Sequence, residues 1–167
     1  TGFRHLEIMK GDGTGRRAIT SGEWAVDGVS ALDPVRREVW FTSGKEDVTG
    51  ALGYRVGIDD GKITPVATEP GTHKLFVAPG GDRFVDLYSS IEKPSTATLR
   101  DRDGKILATL DDSARDPRLV GLELAPPEML SFRSRDGVEL RGAFYAPLGV
   151  PAGTKAPLIV LLYGGPH

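Results

Sequence analysis

The sequence predicts a mainly β protein in which many short strands are joined by tight turns. Three observations support this fold class: glycine and proline are frequent and scattered, Asp-Gly pairs recur at a nearly constant interval, and strand-like runs flank each pair. The 167 residues include 22 Gly and 12 Pro, which is well above average usage. Because both residues disfavour the interior of an α-helix, long helices are nearly excluded.

The overall composition narrows the classes of function. A net charge of −2 gives no general reason to bind nucleic acid. The absence of cysteine excludes disulfides, thiolate metal ligands and a cysteine nucleophile. No apolar run reaches the length of about 18 residues that indicates a membrane-spanning helix, so no membrane segment is expected in this chain. The first residues lack an initiator Met and a signal-peptide core, and we expect the chain to begin inside a longer one.

The first repeated feature is the Asp-Gly turn. The pairs are Asp12-Gly13, Asp60-Gly61 and Asp103-Gly104, spaced by 48 and 43 residues. Asp and Gly both tolerate the positive φ of tight turns, so an Asp-Gly pair between strand-like runs predicts a hairpin. Each pair has such a run on both sides, which indicates one hairpin in each of three similar units.

A second element repeats in phase with the turns. Residues 38–43 resemble residues 83–89, and aligning Ser43 with Ser89 gives an offset of 46 residues. A repeat of about 45 residues that holds four short strands is typical of a β-propeller blade. A meander of hairpins in a β-sandwich is the alternative, and the in-phase repeat of two different elements favours the propeller.

The repeat places about two and a half four-stranded blades in the first two thirds of the chain. Residues 1–20 hold the last two strands of one blade, residues 21–69 a whole blade and residues 70–112 another. Because so few blades cannot close a ring of at least about four, residues 1–112 are interpreted as the C-terminal blades of a longer β-propeller. Residues 111–117 are polar, residues 119–124 form a short strand-like or extended link, and Pro126-Pro127 end it. We interpret residues 113–127 as an interdomain linker.

A different pattern begins at residue 128. Two runs around Asp136-Gly137 alternate apolar and polar residues and predict a half-exposed antiparallel hairpin. Residues 156–163 are continuously apolar, which is typical of a strand buried on both faces in an α/β sheet. A glycine-rich loop follows. A hairpin, a buried strand and such a loop, in this order, open an α/β-hydrolase domain, so residues 128–167 are predicted to be the N-terminal strands of one.

The loop Tyr163-Gly164-Gly165-Pro166-His167 is the most specific motif in the sequence. With the propeller end and the hairpin before it, this loop resembles the dipeptidyl-peptidase IV branch of the prolyl oligopeptidase family of serine peptidases. Residues 19–26, 85–90 and 130–140 carry further likeness, so the resemblance covers nearly the whole chain. It implies that the parent protein is a serine exopeptidase of the dipeptidyl-peptidase type, which hydrolyses peptide bonds near the N-terminus of peptides.

The resemblance assigns one catalytic group to this chain. Tyr163 matches the family's tyrosine whose hydroxyl donates to the oxyanion of the tetrahedral intermediate, and a phenol is a neutral donor at ordinary pH. Gly164 and Gly165 support this oxyanion site by letting the backbone turn sharply beside the scissile bond. The alternative is that Tyr163 is a buried residue at a strand end, with a satisfied hydroxyl and no catalytic role.

The rest of the catalytic machinery is not in the sequence. No Gly-x-Ser-x-Gly nucleophile elbow occurs, and the fold's order of Ser, Asp and His places all three after this loop. His167 belongs to the loop motif and is not the triad histidine. We therefore expect the chain to be a fragment that is inactive alone. The rival hypothesis is a propeller-based module that binds peptides or proteins, or a catalytically dead relative.

The remaining expectations concern ligands, partners and single residues. No cofactor and no metal are predicted. The glycines of residues 11–15 are interpreted as a hairpin turn, because the lysine of a phosphate-binding loop is missing. We expect His5 and His73 to be solvated or packed. Trp24, Trp40 and Phe41 are expected to lie in the blade core and not to form a binding stripe.

The partners that we expect are a peptide substrate and the remainder of the propeller and of the hydrolase domain. The resemblance also allows a homodimer of the parent, while nucleic acid is not an expected partner. The sequence does not fix the compartment, although the resemblance favours the periplasm or secretion.

Overall fold

The computed structural model describes residues 2–119, 122, 125–151 and 153–162, and these are almost entirely β-structure. The described residues form twelve strands and one short 3-10 helix at Ser113–Arg115. The strands are β1 (Glu7–Ile8), β2 (Arg17–Ala18), β3 (Val26–Asp33), β4 (Glu38–Ser43), β5 (Leu52–Gly57), β6 (Ile63–Ala67), β7 (Thr72–Val77), β8 (Arg83–Ser89), β9 (Thr96–Asp101), β10 (Ile106–Asp112), β11 (Glu128–Arg133) and β12 (Glu139–Phe144).

The chain divides into two compact units, residues 1–122 and residues 123–167. The first unit contains three antiparallel sheets. Strand β1 pairs with β2, strands β3 to β6 form one four-stranded sheet, and strands β7 to β10 form another. Within each four-stranded sheet every strand pairs with the next one along the chain, as in a propeller blade. The predicted mainly β fold of about two and a half four-stranded units is therefore confirmed.

The predicted Asp-Gly turns form at the ends of these hairpins. Gly61 has a φ of 66° and Gly104 a φ of 91°, a region that favours glycine. Gly104 has a second constraint, because a Cβ there would lie only 2.1 Å from the carbonyl oxygen of Val66 in β6. The β9–β10 turn thus packs directly against the neighbouring sheet, and only a residue without a side chain fits.

Strand β4 is buried on both faces. Trp40 and Phe41 are fully buried, and as successive residues of a strand they point to opposite sides of the sheet. Phe41 packs with Tyr54 in the core between β1–β2 and the first four-stranded sheet, and Trp24 covers this cluster. Trp40 packs with Phe84 in the core between the two four-stranded sheets. The prediction of a core position is confirmed for Trp40 and Phe41, while Trp24 is half-buried and packs on the edge of the core.

Ion pairs also connect the two four-stranded sheets. The pairs are Arg36–Asp82, Arg55–Asp103 and Arg102–Glu38. Glu38 also binds Arg55 at 3.2 Å, so one carboxylate on β4 joins two arginines. The exposed pair Arg36–Asp82 joins the β3–β4 turn to the β7–β8 turn and contributes little free energy. Glu38 and Arg55 are mostly buried and join β4 and β5 to the β9–β10 turn.

The second unit contains a hairpin of β11 and β12. The two strands pair in unbroken register from Glu128 opposite Phe144 to Arg133 opposite Glu139. This confirms the hairpin predicted around Asp136-Gly137. Both faces are exposed, however, and not only one as predicted, because the described residues leave the apolar side uncovered.

The predicted buried strand over residues 156–163 is wrong for the part that the structure describes. Residues 156–162 form no strand, and Ile159 and Leu161 are 83% and 93% exposed. A strand requires a hydrogen-bonded neighbour, and no described residue pairs with this segment. The assignment of residues 128–167 to the start of a hydrolase domain therefore stays a prediction.

Candidate functional site

The residues predicted to stabilise the oxyanion lie outside the described residues. Tyr163, Gly164 and Gly165 all follow residue 162, where the last described segment ends. The catalytic role of Tyr163 and the supporting role of the two glycines therefore stay predictions. The structure instead brings together His73, which the sequence analysis expected only to be solvated or packed, with three charged side chains that the sequence analysis did not single out.

These charged side chains lie on the inward face of the second four-stranded sheet. His73 in β7, Asp86 in β8 and Arg100 in β9 are all buried. Inward and outward positions alternate along each strand. Asp86 pairs with Leu75 on β7 and with Thr98 on β9, so His73 and Arg100, each two positions away on those strands, are its diagonal neighbours on the same face. The β6–β7 connection adds Glu69. We call these four residues the His73 cluster.

Every polar atom of the His73 ring has a partner. Its Nδ1 lies 2.9 Å from one carboxylate oxygen of Asp86 and 3.0 Å from the other. Its Nε2 lies 2.8 Å from the backbone carbonyl oxygen of Glu69. Both partners are acceptors, so both ring nitrogens must donate, and only the protonated imidazolium carries two N–H groups. The geometry therefore indicates a charged histidine.

Arg100 balances the charges of this cluster. Its Nη2 lies 3.0 Å from Asp86 Oδ2 and donates to Glu69 Oε1 at 2.8 Å. Two cations thus face two carboxylates, with the side chains of His73 and Asp86 completely buried. The charges cancel locally, which is the condition under which buried ions are tolerated.

The cluster shifts the pKa values of two of its members. Burial lowers the pKa of His73, but the hydrogen bonds to Asp86 and to the Glu69 carbonyl, with the nearby carboxylates, outweigh burial and leave that pKa raised. Burial raises the pKa of Glu69, but the hydrogen bond from Arg100 outweighs it and the pKa is lowered. Both shifts favour the charged forms that the geometry requires.

This His-Asp pair is structural and not catalytic. A catalytic histidine needs a ring nitrogen that can accept a proton from a nucleophile. Here Nε2 donates to the Glu69 carbonyl and Nδ1 to Asp86, so no nitrogen is free, and the ring is fully buried. The expectation that His73 is packed is confirmed. His5 bonds to Thr20 and to the Gly22 carbonyl.

The weaker candidates of the sequence also have structural explanations. Residues 11–15 form a turn in which the Lys10 N–H donates to the Thr14 carbonyl at 2.8 Å, which confirms the hairpin interpretation. Asp12 accepts from the backbone N–H of Thr14 at 2.9 Å. Over the described ranges, no three His, Asp or Glu side chains are grouped as they would be around a metal ion. In the same part of the chain, no helix has the length and apolar content to cross a bilayer.

Comparison with known proteins connects this fold to one family. Residues 1–95 match the family model of the dipeptidyl peptidase IV (DPP IV) N-terminal region. The chain is 30% identical over 165 residues to dipeptidyl peptidase 8 of Homo sapiens, covering 90% of this chain and 18% of that protein. It is 28% identical over 171 residues to a probable dipeptidyl-aminopeptidase B of Aspergillus fumigatus, covering 99% of this chain and 19% of that protein.

A solved structure supports the same fold. The crystal structure of Porphyromonas gingivalis dipeptidyl peptidase 4 superposes with a TM-score of 0.80 at 24% sequence identity. The superposition covers 90% of this chain and 21% of that one. The chain thus spans about a fifth of the length of the relatives it matches. Because the family model covers more than half of the chain, and the fold agrees, the chain belongs to the dipeptidyl peptidase IV N-terminal region family.

Proposed function

We propose that this chain is part of a serine exopeptidase of the dipeptidyl-peptidase type. One observation carries the proposal: the family match over residues 1–95 and the loop Tyr163-Gly164-Gly165-Pro166-His167 occur in the same chain. The names of the relatives support dipeptidyl-peptidase chemistry. The position of the loop after an apolar run supports the serine type, since α/β-hydrolases place an oxyanion donor there.

The proposal divides the chain into three parts. Residues 1–112 are C-terminal blades of a propeller, residues 113–127 are the linker, and residues 128–167 open the peptidase domain. The division into compact units near residue 122 supports this arrangement. The expected partners are the remainder of both domains, a peptide substrate with a free N-terminus, and a second copy of the parent protein.

The proposed mechanism gives Tyr163 an electrostatic role. A serine beyond this segment attacks the scissile carbonyl, a histidine takes up its proton, and the carbonyl oxygen becomes an oxyanion. The Tyr163 hydroxyl donates to that oxyanion together with the backbone N–H after the serine. One such donor lowers the barrier by about 3–4 kcal/mol, because it is aimed at charge that develops only in the transition state.

The 167 residues alone are proposed to be inactive. They contain no Gly-x-Ser-x-Gly elbow, so no activated serine is available to form an acyl-enzyme. A fluorophosphonate, which labels activated serines, should therefore leave this segment unmodified and should label the full-length protein once. Labelling of the isolated segment would contradict this part of the proposal.

The experiment for Tyr163 is the substitution Tyr163→Phe in the full-length protein. We expect kcat for a dipeptidyl chromogenic amide to fall by a factor on the order of a hundred or more, with kcat/KM falling equally. Tyr145→Phe is the matched control, because Tyr145 belongs to the same unit and is 67% exposed. Unchanged kcat in Tyr163→Phe, with the melting temperature intact, would remove Tyr163 from the mechanism.

A further inference from the structure

The β6–β7 connection, residues 68–71, carries the chain from the first four-stranded sheet to the second. Three consecutive backbone carbonyls of this connection each accept a hydrogen bond from a residue outside it. In chain order, the carbonyls of Glu69, Pro70 and Gly71 accept from the His73 ring at 2.8 Å, the Tyr88 hydroxyl at 3.0 Å and the Ala51 backbone N–H at 2.9 Å. The position of the connection between the sheets therefore depends on three donors.

The connection lies near the surface, although its anchor His73 is buried. Thr68 and Pro70 are exposed, and the side chain of Glu69 is 43% exposed. The His73 side chain, in contrast, is completely buried. A carbonyl released from His73 can therefore turn to water while the hydrogen bonds within both sheets stay intact. Local opening of this kind costs less free energy than global unfolding.

His73 is the donor whose hydrogen bond depends on pH. Imidazole is the side chain that ordinarily changes its charge between pH 5 and 8. Nδ1–H points at the Asp86 carboxylate, whose negative charge holds that proton, so the Nε2 proton is the one that leaves. The Nε2 lone pair then faces the Glu69 carbonyl oxygen across 2.8 Å, and two acceptors without a proton between them repel each other.

The charged and titratable groups that face the His73 ring come from three elements. They are Asp86 on β8, Arg100 on β9, Glu69 in the connection, and Tyr88 on β8, which stacks on the ring at 4.8 Å and has Lys93 over its own ring. Burial lowers the pKa of His73, but the hydrogen bonds and the carboxylates outweigh burial, so the proton leaves above the ordinary value of about 6.5. Arg100 stays bonded to the Glu69 carboxylate at 2.8 Å, so the loss of the proton acts on the carbonyl of Glu69 and not on its side chain.

We propose that His73 is a proton-dependent latch on the β6–β7 connection. The imidazolium holds the Glu69 carbonyl, and loss of the Nε2 proton with rising pH releases the connection between the two sheets. The switch is local to the propeller unit, since the sheets keep their strand pairing. It does not depend on Tyr163 or on peptidase activity, so it is tested independently of the proposed function.

A second histidine supplies a reference within the same chain. His5 Nε2 lies 3.0 Å from the carbonyl oxygen of Gly22, in the connection between β2 and β3, and its Nδ1 lies 3.2 Å from Thr20 Oγ1. A hydroxyl both donates and accepts, so a neutral ring with its proton on Nε2 satisfies both partners. We therefore expect the β2–β3 connection to stay closed over the pH range in which the β6–β7 connection opens.

The test is hydrogen exchange of single backbone amides in the full-length protein, measured by mass spectrometry from about pH 6 to about pH 9. The Ala51 N–H donates to Gly71 in the connection and reports its opening. The Val26 N–H, which donates to the Arg4 carbonyl at 2.9 Å beside the β2–β3 connection, is the reference. After correction for intrinsic exchange, we expect the protection of Ala51 to fall about tenfold to a hundredfold as the pH rises, because a hydrogen bond from a charged group is lost. The protection of Val26 should stay constant.

Constant protection of Ala51, or an equal fall at Ala51 and Val26, would overturn the proposal without the need for any variant. His73→Gln removes the titrating proton and should abolish the pH dependence at Ala51, while the matched control His5→Gln should keep it. A fall at Ala51 that persists in folded His73→Gln would assign the opening to another group and would also overturn the proposal.

Discussion

Replacing Asp86 by Asn tests whether the His73 cluster is a buried ion-pair network that stabilises the second four-stranded sheet. Asp86 lies 2.9 Å from His73 Nδ1 and 3.0 Å from Arg100 Nη2, and its side chain is completely buried. An Asn Oδ1 accepts from one of these cations, but its NH2 group then directs donors at the other. Glu69, which accepts from Arg100 at 2.8 Å, is then left to balance both buried cations, and the loss of the second carboxylate charge costs about 3–5 kcal/mol of unfolding free energy.

The assay is thermal and urea unfolding followed by circular dichroism. For a unit of this size the loss corresponds to a melting temperature roughly 10–20 °C lower. Asp103→Asn is the matched control, because Asp103 pairs with Arg55 on the surface and its side chain is 77% exposed. We expect that control to cost less than about 1 kcal/mol. A stabilising role for this buried network is refuted if Asp86→Asn lowers the free energy of unfolding no more than Asp103→Asn does.

Two further predictions concern stability. Because the folded pKa of His73 is raised, its stabilising contribution is complete below the unfolded pKa of about 6.5 and is lost as pH rises through the folded value. The difference in urea midpoint between wild type and His73→Gln should narrow with rising pH, and widening would contradict a charged histidine. Gly104→Ala should lower the free energy of unfolding in urea more than Gly13→Ala does. Both glycines have a positive φ, and an Ala in that conformation loses about 1–3 kcal/mol through backbone strain. Only at Gly104 would the added Cβ also collide with Val66. Equal costs would contradict close packing at the Gly104 turn.

The repeated units of the fold were predictable because they rest on local chemistry. Asp-Gly pairs determine where the chain reverses, and the strand-like runs around them pair with their neighbours along the sequence. Trp40 and Phe41 were recognisable as core residues because large aromatic side chains are seldom left exposed in a strand. Each of these inferences needs only residues that are close in the sequence.

The His73 cluster was not predictable in the same way. Asp86 and Arg100 look like outward-facing residues of two half-exposed strands, since charged side chains are rarely buried unless they are paired. Their pairing depends on strand register, which brings together residues that are distant in sequence. One feature of the sequence did point to burial of Asp86. It lies two residues after Phe84 in the same strand, so both side chains are on the inward face.

The prediction of a buried strand over residues 156–162 failed because it relied on local composition alone. Its apolar run indicates a preference for buried surroundings, but a preference does not supply the neighbouring strands. Ile159 and Leu161 are exposed, and no described residue pairs with this segment. A buried strand is a property of the whole sheet, so it cannot be deduced from the composition of one run.

The most direct test of the central claim is to identify the products that the full-length protein releases from peptides with free N-termini. Mass spectrometry of the digest identifies each product and the bond that was cut. The proposal predicts that N-terminal dipeptides accumulate and that a fluorophosphonate abolishes their release. Cleavage at internal bonds only, or no hydrolysis by a folded protein, would contradict the assignment of this chain to a dipeptidyl-releasing serine peptidase.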